Sequence, residues 1–286
     1  MANETTNTEL DFIVPELWQP QLLQAVYDAD DILNRVQRVD GDVRGKGDIL
    51  HLPAMPVIST NAVGSSGSVT NQTVTPTEAQ LTVDTWREST MTLVDKADIQ
   101  SIGDIIAAFQ AGAPQALGEK MVSDLLALAT DANITTNVVG DGSQPLDEDA
   151  LAASIGKLMA TKFGGMLRDP NRVSWFLDAA EWQNLKKVGV YTHADVSGSS
   201  AYAGDKLALP NFYGVPYFLS NQVRVSSSIR YNLLAIREAL ALGVQRNIEM
   251  MELPRADLAR RFNVNVLYGV KVRAQARAVL VKSRDV

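Results

Sequence analysis

Residues 59–78 constrain this 286-residue chain more than any other stretch. Fifteen of these twenty residues are Ser, Thr, Asn, Gly, Gln or Pro, and Glu78 is their single charge. Such a segment has too little apolar surface to fold on itself. It is also too long for an ordinary connection inside a compact domain. Its flanks decide its form. A strand is expected before it, over residues 49–58, and QLTVDTW (Gln80 to Trp86) alternates in strand fashion after it. Two strands around a polar tip predict a long β-hairpin that projects from the body. A projecting finger of that kind needs a partner surface.

Upstream, Trp18, Leu22, Val26, Ile32, Leu33, Val36 and Val39 recur at three- and four-residue spacing. They predict an amphipathic helix from Pro20 to Val39, with proline in its first turn, stopped by the glycines of Gly41 to Gly47. Residues 97–131 predict two helices separated at Gly112 and Pro114, the second carrying Leu117, Met121, Leu125 and Leu128. Asn133 to Pro145 reads as a loop, and 147–163 as a helix stopped by Gly164-Gly165. Val173 to Leu177 reads as a buried strand, Ala179 to Val188 as a helix, and Ser197 to Gly204 as a second flexible loop. Phe212 to Val223 reads as strand, turn and strand, and Tyr231 to Ile236 and Ala241 to Arg246 as short strands or a strand–helix piece. The clearest strand is late: Phe262, Val264, Val266, Tyr268, Val270 and Val272 occupy every second position, with Asn263, Asn265, Lys271 and Arg273 on the other face. Helices and strands interleave without a regular βαβ alternation, so the expected class is α+β.

Composition excludes much chemistry. There is no cysteine, hence no disulfide, thiolate zinc site or thiol nucleophile, and only His51 and His193 offer an imidazole. Apolar runs such as Leu125 to Ala129 fall far short of the roughly 20 residues that span a bilayer. The polar N-terminus MANETTNTEL has no basic and apolar regions of a signal peptide, so a protein made in the cytoplasm is expected. Charge is unevenly spread over a chain of net −7: residues 1–50 hold ten acids and four bases, whereas residues 255–286 hold eight bases and two acids. The ends are either two solvated faces or complementary surfaces, joined within one subunit or between neighbours. Nucleic-acid binding by the basic end is disfavoured because few aromatics interleave its bases.

No catalytic motif survives inspection. GDVRGKG (Gly41 to Gly47) has the wrong glycine spacing for a phosphate loop and places Gly47 where Ser or Thr would bind magnesium. His51 sits inside a strand as a polar side chain, and His193 has no acid or nucleophile set beside it by sequence. Asp147, Glu148 and Asp149 fit a helix N-terminus, where acids complement the macrodipole, better than a carboxylate pair for hydrolysis. Trp18, Trp86, Trp175 and Trp182 are scattered, as core or interface residues. No catalytic, cofactor or metal residue is assigned.

The order of segments resembles the major capsid proteins of tailed bacteriophages, with the Hong Kong 97-type shell fold. PELWQPQLLQAVYDADDILNRV (Pro15 to Val36) is similar to the N-terminal arm helix, and GKGDILHLPAM (Gly45 to Met55) to the lead into the extended E-loop, whose tip would be residues 59–78. ALGEKMVSDLLALATD (Ala116 to Asp131) resembles the spine helix of the P-domain, and YAGDKLALPNFYGVPYFLSNQV (Tyr202 to Val223) a segment of the A-domain. AIREALALGVQRNIEM (Ala235 to Met250) with RRFNVNVLYGVKV resembles the closing strands. The resemblance implies an arm at 1–47, an E-loop hairpin with flanking strands at 48–94, a spine-helix region at 95–132, an A-domain at 133–250 and P-domain closing strands at 251–286. It implies a structural, non-enzymatic virion protein without cofactor. Its copies would gather into pentamers and hexamers of an icosahedral shell around double-stranded DNA, held non-specifically, with a portal protein as a further partner and no membrane. No long propeptide precedes the arm helix, so a separate scaffolding protein is expected, and nothing in the chain suggests covalent cross-linking. An encapsulin-like nanocompartment shell is the alternative of the same fold, and a carboxylate-dependent hydrolase a more distant one. The expected intersubunit residues are Trp18, Leu22 and Val26 on the arm, Gly64, Ser65, Ser66 and Gly67 at the finger tip, and Arg260 and Arg261 in the basic end.

Overall fold

A computed structural model describes residues 32–94, except 46, 55–57, 66, 68, 70 and 74, together with 105–186, 211–254 and 259–284. The arm residues Trp18, Leu22 and Val26, the tip residue Ser66, His193 and the 197–204 loop lie outside the described residues.

Two sheets organise the chain. The first has strand order β1 (Gln37–Arg38), β10 (Leu240–Leu253), β11 (Ala259–Val272) and β4 (Thr85–Val94). Its centre is the antiparallel β10–β11 ribbon, fourteen residues per strand. The period-two pattern of β11 puts Phe262, Val264, Val266 and Tyr268 on one face, all buried. Across that face lies α2 (Ile105–Leu126), through Leu117, Met121, Val122 and Leu125. Tyr268 Oη donates to Asp124 Oδ2 at 2.6 Å, fastening helix to strand. Burial, then the hydrogen bond to Asp124, pushes the Tyr268 phenol well above its ordinary range.

The second sheet runs β5 (Val138–Val139), β12 (Ala278–Arg284), β9 (Ile229–Ile236), β6 (Val173–Asp178) and β7 (Tyr217–Ser220), with β8 (Val225–Ser226) beside β9. β6 is buried at all six positions, polar Ser174 and Asp178 included, in keeping with the buried strand expected at Val173 to Leu177. One face packs on α3 (Glu148–Ala160), through Leu151, Ile155 and Leu158. Asp147 caps α3, accepting from Ala150 N at 2.8 Å. The acid cluster is thus a helix start, as expected. At the far end stands α4 (Trp182–Lys186), whose neighbours hold a buried polar knot. Arg230 lies 3.7 Å from Asp178 and 3.6 Å from Glu181, Asn184 donates to Glu181 at 2.7 Å, and Asn232 to Ser283 at 2.9 Å.

Consecutive strands link the two sheets. β9 leads into β10 through a 3-10 turn at Arg237–Ala239, and β11 into β12 through another at Gln275–Arg277. Arg273 N donates to Ala239 O at 2.8 Å, tying the crossings together. The sheets therefore cut across the expected boundary at residue 250: β10 starts ten residues before it, and β12 returns to the second sheet.

Four local expectations are corrected. The helix expected to reach Val39 ends at Leu33; the chain then turns and lays Gln37 and Arg38 parallel to β10, followed by the single turn α1 (Asp40–Val43). Asp40 Oδ1 accepts from Val244 N at 2.9 Å, so pairing with a sheet edge wins over helical propagation. The break at Gly112 and Pro114 does not occur, and α2 runs through Pro114. The helix after Asp147 ends at Ala160, before the glycines; a Cβ on Gly164 would stand 2.5 Å from Met159 O, so this glycine serves close packing. Asn263 and Asn265 are buried rather than solvated, with Asn263 Nδ2 donating to Glu88 Oε2 and Thr90 Oγ1, both at 2.7 Å.

Candidate assembly surfaces

The finger is built on β2 (Ile49–Ala54) and β3 (Thr77–Thr82), paired antiparallel from Ile49↔Thr82 to Ala54↔Thr77. Its root is apolar. Leu52, Leu81 and Val83 are buried against Val39, Val43 and Ala241, on the face of the first sheet opposite α2. The approach is close enough to require glycine. A Cβ on Gly269 of β11 would stand 2.1 Å from Thr82 O, a backbone atom that cannot move aside. One step out, His51 Nδ1 and Glu78 Oε2 are 3.1 Å apart across the ribbon, and Gln80 donates to Glu78 at 3.0 Å. Hydrogen bonds from Gln80 and then His51 hold the Glu78 carboxyl below its ordinary range.

Beyond Ala54 the ribbon opens into the polar finger. Every described residue from Ile58 to Glu78 is exposed, including Gly64, Ser65 and Gly67. Ile58, Val63 and Val69 are 62%, 64% and 75% exposed. One cross-tie is described, from Gln72 Nε2 to Ser59 O and Oγ. Three apolar side chains on a hydroxyl-rich finger with a single charge, Glu78 at its base, match a surface completed by another molecule.

Arg260 and Arg261 are separated by the pleat. Arg260 pairs with Glu252 across the β10–β11 ribbon, with its Nε 3.0 Å from Oε1, and its guanidinium lies over Phe262. Arg261 is exposed, opposite Leu253 and Thr92. The structure also places Trp86, 67% exposed, on the outer strand β4, where no other described strand pairs with its free edge. Sequence marked Trp86 only as core or interface; its nearest alternation partners on β4, Glu88, Thr90 and Thr92, are polar, which is the signal that it points outward. A groove of about 380 Å³ opens between α2 and β10, lined by Leu33, Arg38, Pro114, Gly118, Met121 and Val244 among others.

Chemistry is sparse on these surfaces. The described residues include no cluster of three or more His, Asp or Glu able to hold a metal. No described helix is long and apolar enough to cross a membrane. The buried carboxylates Asp178 and Glu181 are committed to Arg230, Asn184, Ser283 and the backbone N–H of Ala180.

No protein-family model and no curated protein matches the chain. Solved structures do. A chain of the cyanophage Pam1 capsid asymmetric unit superposes with a TM-score of 0.75 at 12% identity, covering 100% of this chain and 99% of that one. A chain from Mycobacterium phage Che8 gives 0.71 at 23% identity, covering 94% and 96%. A chain from the capsid of a native GTA particle gives 0.68 at 12% identity, covering 99% and 100%. At these identities the likeness is one of fold, and it extends over nearly the whole length of each chain. The fold is the α+β capsid fold of the Hong Kong 97 type, as the resemblance implied.

Proposed function

We propose that this chain is the major capsid subunit of a tailed bacteriophage, and that its copies gather into pentamers and hexamers of an icosahedral shell around double-stranded DNA. The observation that carries the reading is the finger: an apolar root anchored in the first sheet, and an exposed tip that its own globule leaves uncovered. It sits on a fold shared end to end with capsid chains. In this reading residues 1–47 act as an arm and 48–94 as the finger with its flanking strands. The rest of the first sheet and α2 form the peripheral body, and the second sheet the part that meets its copies at the capsomer centre. Trp18, Leu22, Val26, the tip at Gly64 to Gly67, and Arg261 are intersubunit residues. Arg260 braces its own ribbon. A portal and a separate scaffolding protein are the further partners, DNA is enclosed without specific contacts, and assembly takes place in the host cytoplasm. The role is structural rather than enzymatic.

Weak contacts suffice for such a shell, because each subunit engages several neighbours and linked contacts reinforce one another through effective concentration. Purified protein, alone or with a scaffold, should form shells, tubes or capsomers in electron micrographs. A monodisperse monomer under all assembly conditions would defeat the reading.

A further inference from the structure

Arginines from separate elements meet where the two sheets join. Arg35 precedes β1 and Arg38 ends it, Arg172 precedes β6, Arg237 opens the first crossing turn, Arg273 follows β11, and Arg277 closes the second turn. Contacts link Arg172, Arg237, Arg273 and Arg277 to one another and to Val36 and Gln37, which lie between Arg35 and Arg38. Arg237 Nε donates to Val36 O at 3.4 Å, Arg237 N to Arg172 O at 2.7 Å, and Arg273 reaches Gln37 Oε1 and, at 3.3 Å, Pro53 O. Glu238 takes Arg172 and Arg277, the latter at 4.0 Å, and Asp40 takes Arg38 at 2.8 Å. Arg35, stacked 5.0 Å from the Phe218 ring, Arg237 and Arg273 meet no carboxylate among the described residues. A strongly positive junction thus sits on a chain of net charge −7.

The charge that complements it lies close in sequence. Residues 1–31 carry seven carboxylates and no lysine or arginine, with Asp28, Asp30 and Asp31 next to the described chain. That segment joins the body at Ile32, which is buried, three residues before Arg35. Beside the junction is the groove whose lining includes Leu33 and Arg38. We propose that the arginine junction is the docking surface for the acidic segment 1–31 of the same chain, held there by charge in the unassembled subunit. The tether supplies a high local concentration of carboxylate, whereas a free polyanion first meets the repulsion of the chain's net charge. The inference concerns the single subunit and does not depend on the shell reading.

The cysteine-free sequence gives a clean test. In the full-length chain, Ala29→Cys and Gln275→Cys place one thiol among Asp28, Asp30 and Asp31 and the other between Arg273 and Arg277. A short bismaleimide on dilute protein should give an intramolecular cross-link. Its yield should fall at least about threefold when salt rises from about 0.01 M to about 1 M, as the Debye length shrinks from about 30 Å to about 3 Å. The same loss is expected at low salt after Arg35→Gln, Arg237→Gln and Arg273→Gln. A yield indifferent to salt would mean that the tether alone brings the thiols together, and would overturn the proposal. Cross-links joining two chains would assign the surface to a second copy's segment. Low-salt retardation of a short DNA duplex by the full-length chain, with loss of the cross-link, would assign it to nucleic acid. Either result also overturns it.

Discussion

Single atoms decide how the finger is rooted and how the sheets are joined. Gly269→Ala would push a methyl group into Thr82 O. The cost should be about 2–3 kcal/mol, read as a lower urea midpoint with an unchanged slope. Glu238 behaves differently. Burial opposes its ionisation, but the hydrogen bond from Arg172 and the charges of Arg172 and Arg277 outweigh it and hold its carboxyl below the ordinary range. A carboxyl whose folded value is depressed contributes stability above its unfolded value and loses it as pH falls through the folded value. Glu238→Gln should therefore destabilise the subunit near neutral pH, by about 0.5–1 kcal/mol for a partly solvated group. The gap from wild type should close as pH drops below about 4.3, the ordinary glutamate value, and through the lower folded one. Thermal unfolding at a series of pH values would measure it. In the buried knot, Arg230→Met leaves Glu181, which has no exposed surface, without its cation. The expected loss is about 3 kcal/mol or more in denaturant unfolding.

Elements separate folding from assembly. Deleting residues 62–75 shortens the finger but keeps every pair from Ile49↔Thr82 to Ala54↔Thr77. The shortened subunit should melt within a few degrees of wild type in calorimetry yet fail to build particles. Normal particles would mean that the finger is not an assembly arm. The finger was legible in sequence because polar composition and flanking alternation are local signals. So were the buried β6, the α3 cap at Asp147, and the long strand around Val264 and Val266. Features decided by distant partners were not. Val36 and Val39 look helical, but the edge of β10, some 200 positions later, draws the intervening Gln37 and Arg38 into β1. Pro114 is a local helix breaker that the packed face of α2 overrides. Asn263 and Asn265 read as solvated until Glu88 and Thr90 arrive beside them from β4. The knot of Arg230, Asp178, Glu181 and Ser283 gathers residues more than 100 positions apart, with no spacing to betray it.

At the scale of the whole molecule, the two neighbouring arginines of β11 distinguish internal from external charge. Arg261→Glu alters an exposed side chain and should leave the subunit's own stability within about 0.5 kcal/mol. It should lower particle yield in sedimentation if its partner belongs to a neighbour, and high salt should act in the same direction. Arg260→Glu opposes Glu252 within the same ribbon and should weaken the subunit itself. The antiparallel pairing of β10 with β11 and of β9 with β12 continues across the sheet boundary through two adjoining 3-10 turns. A tug on either half is thus borne by a pair of straps rather than a lone swivel. Under outward pressure the halves would share the load and resist twisting, as a riveted seam does and a hinge pin does not.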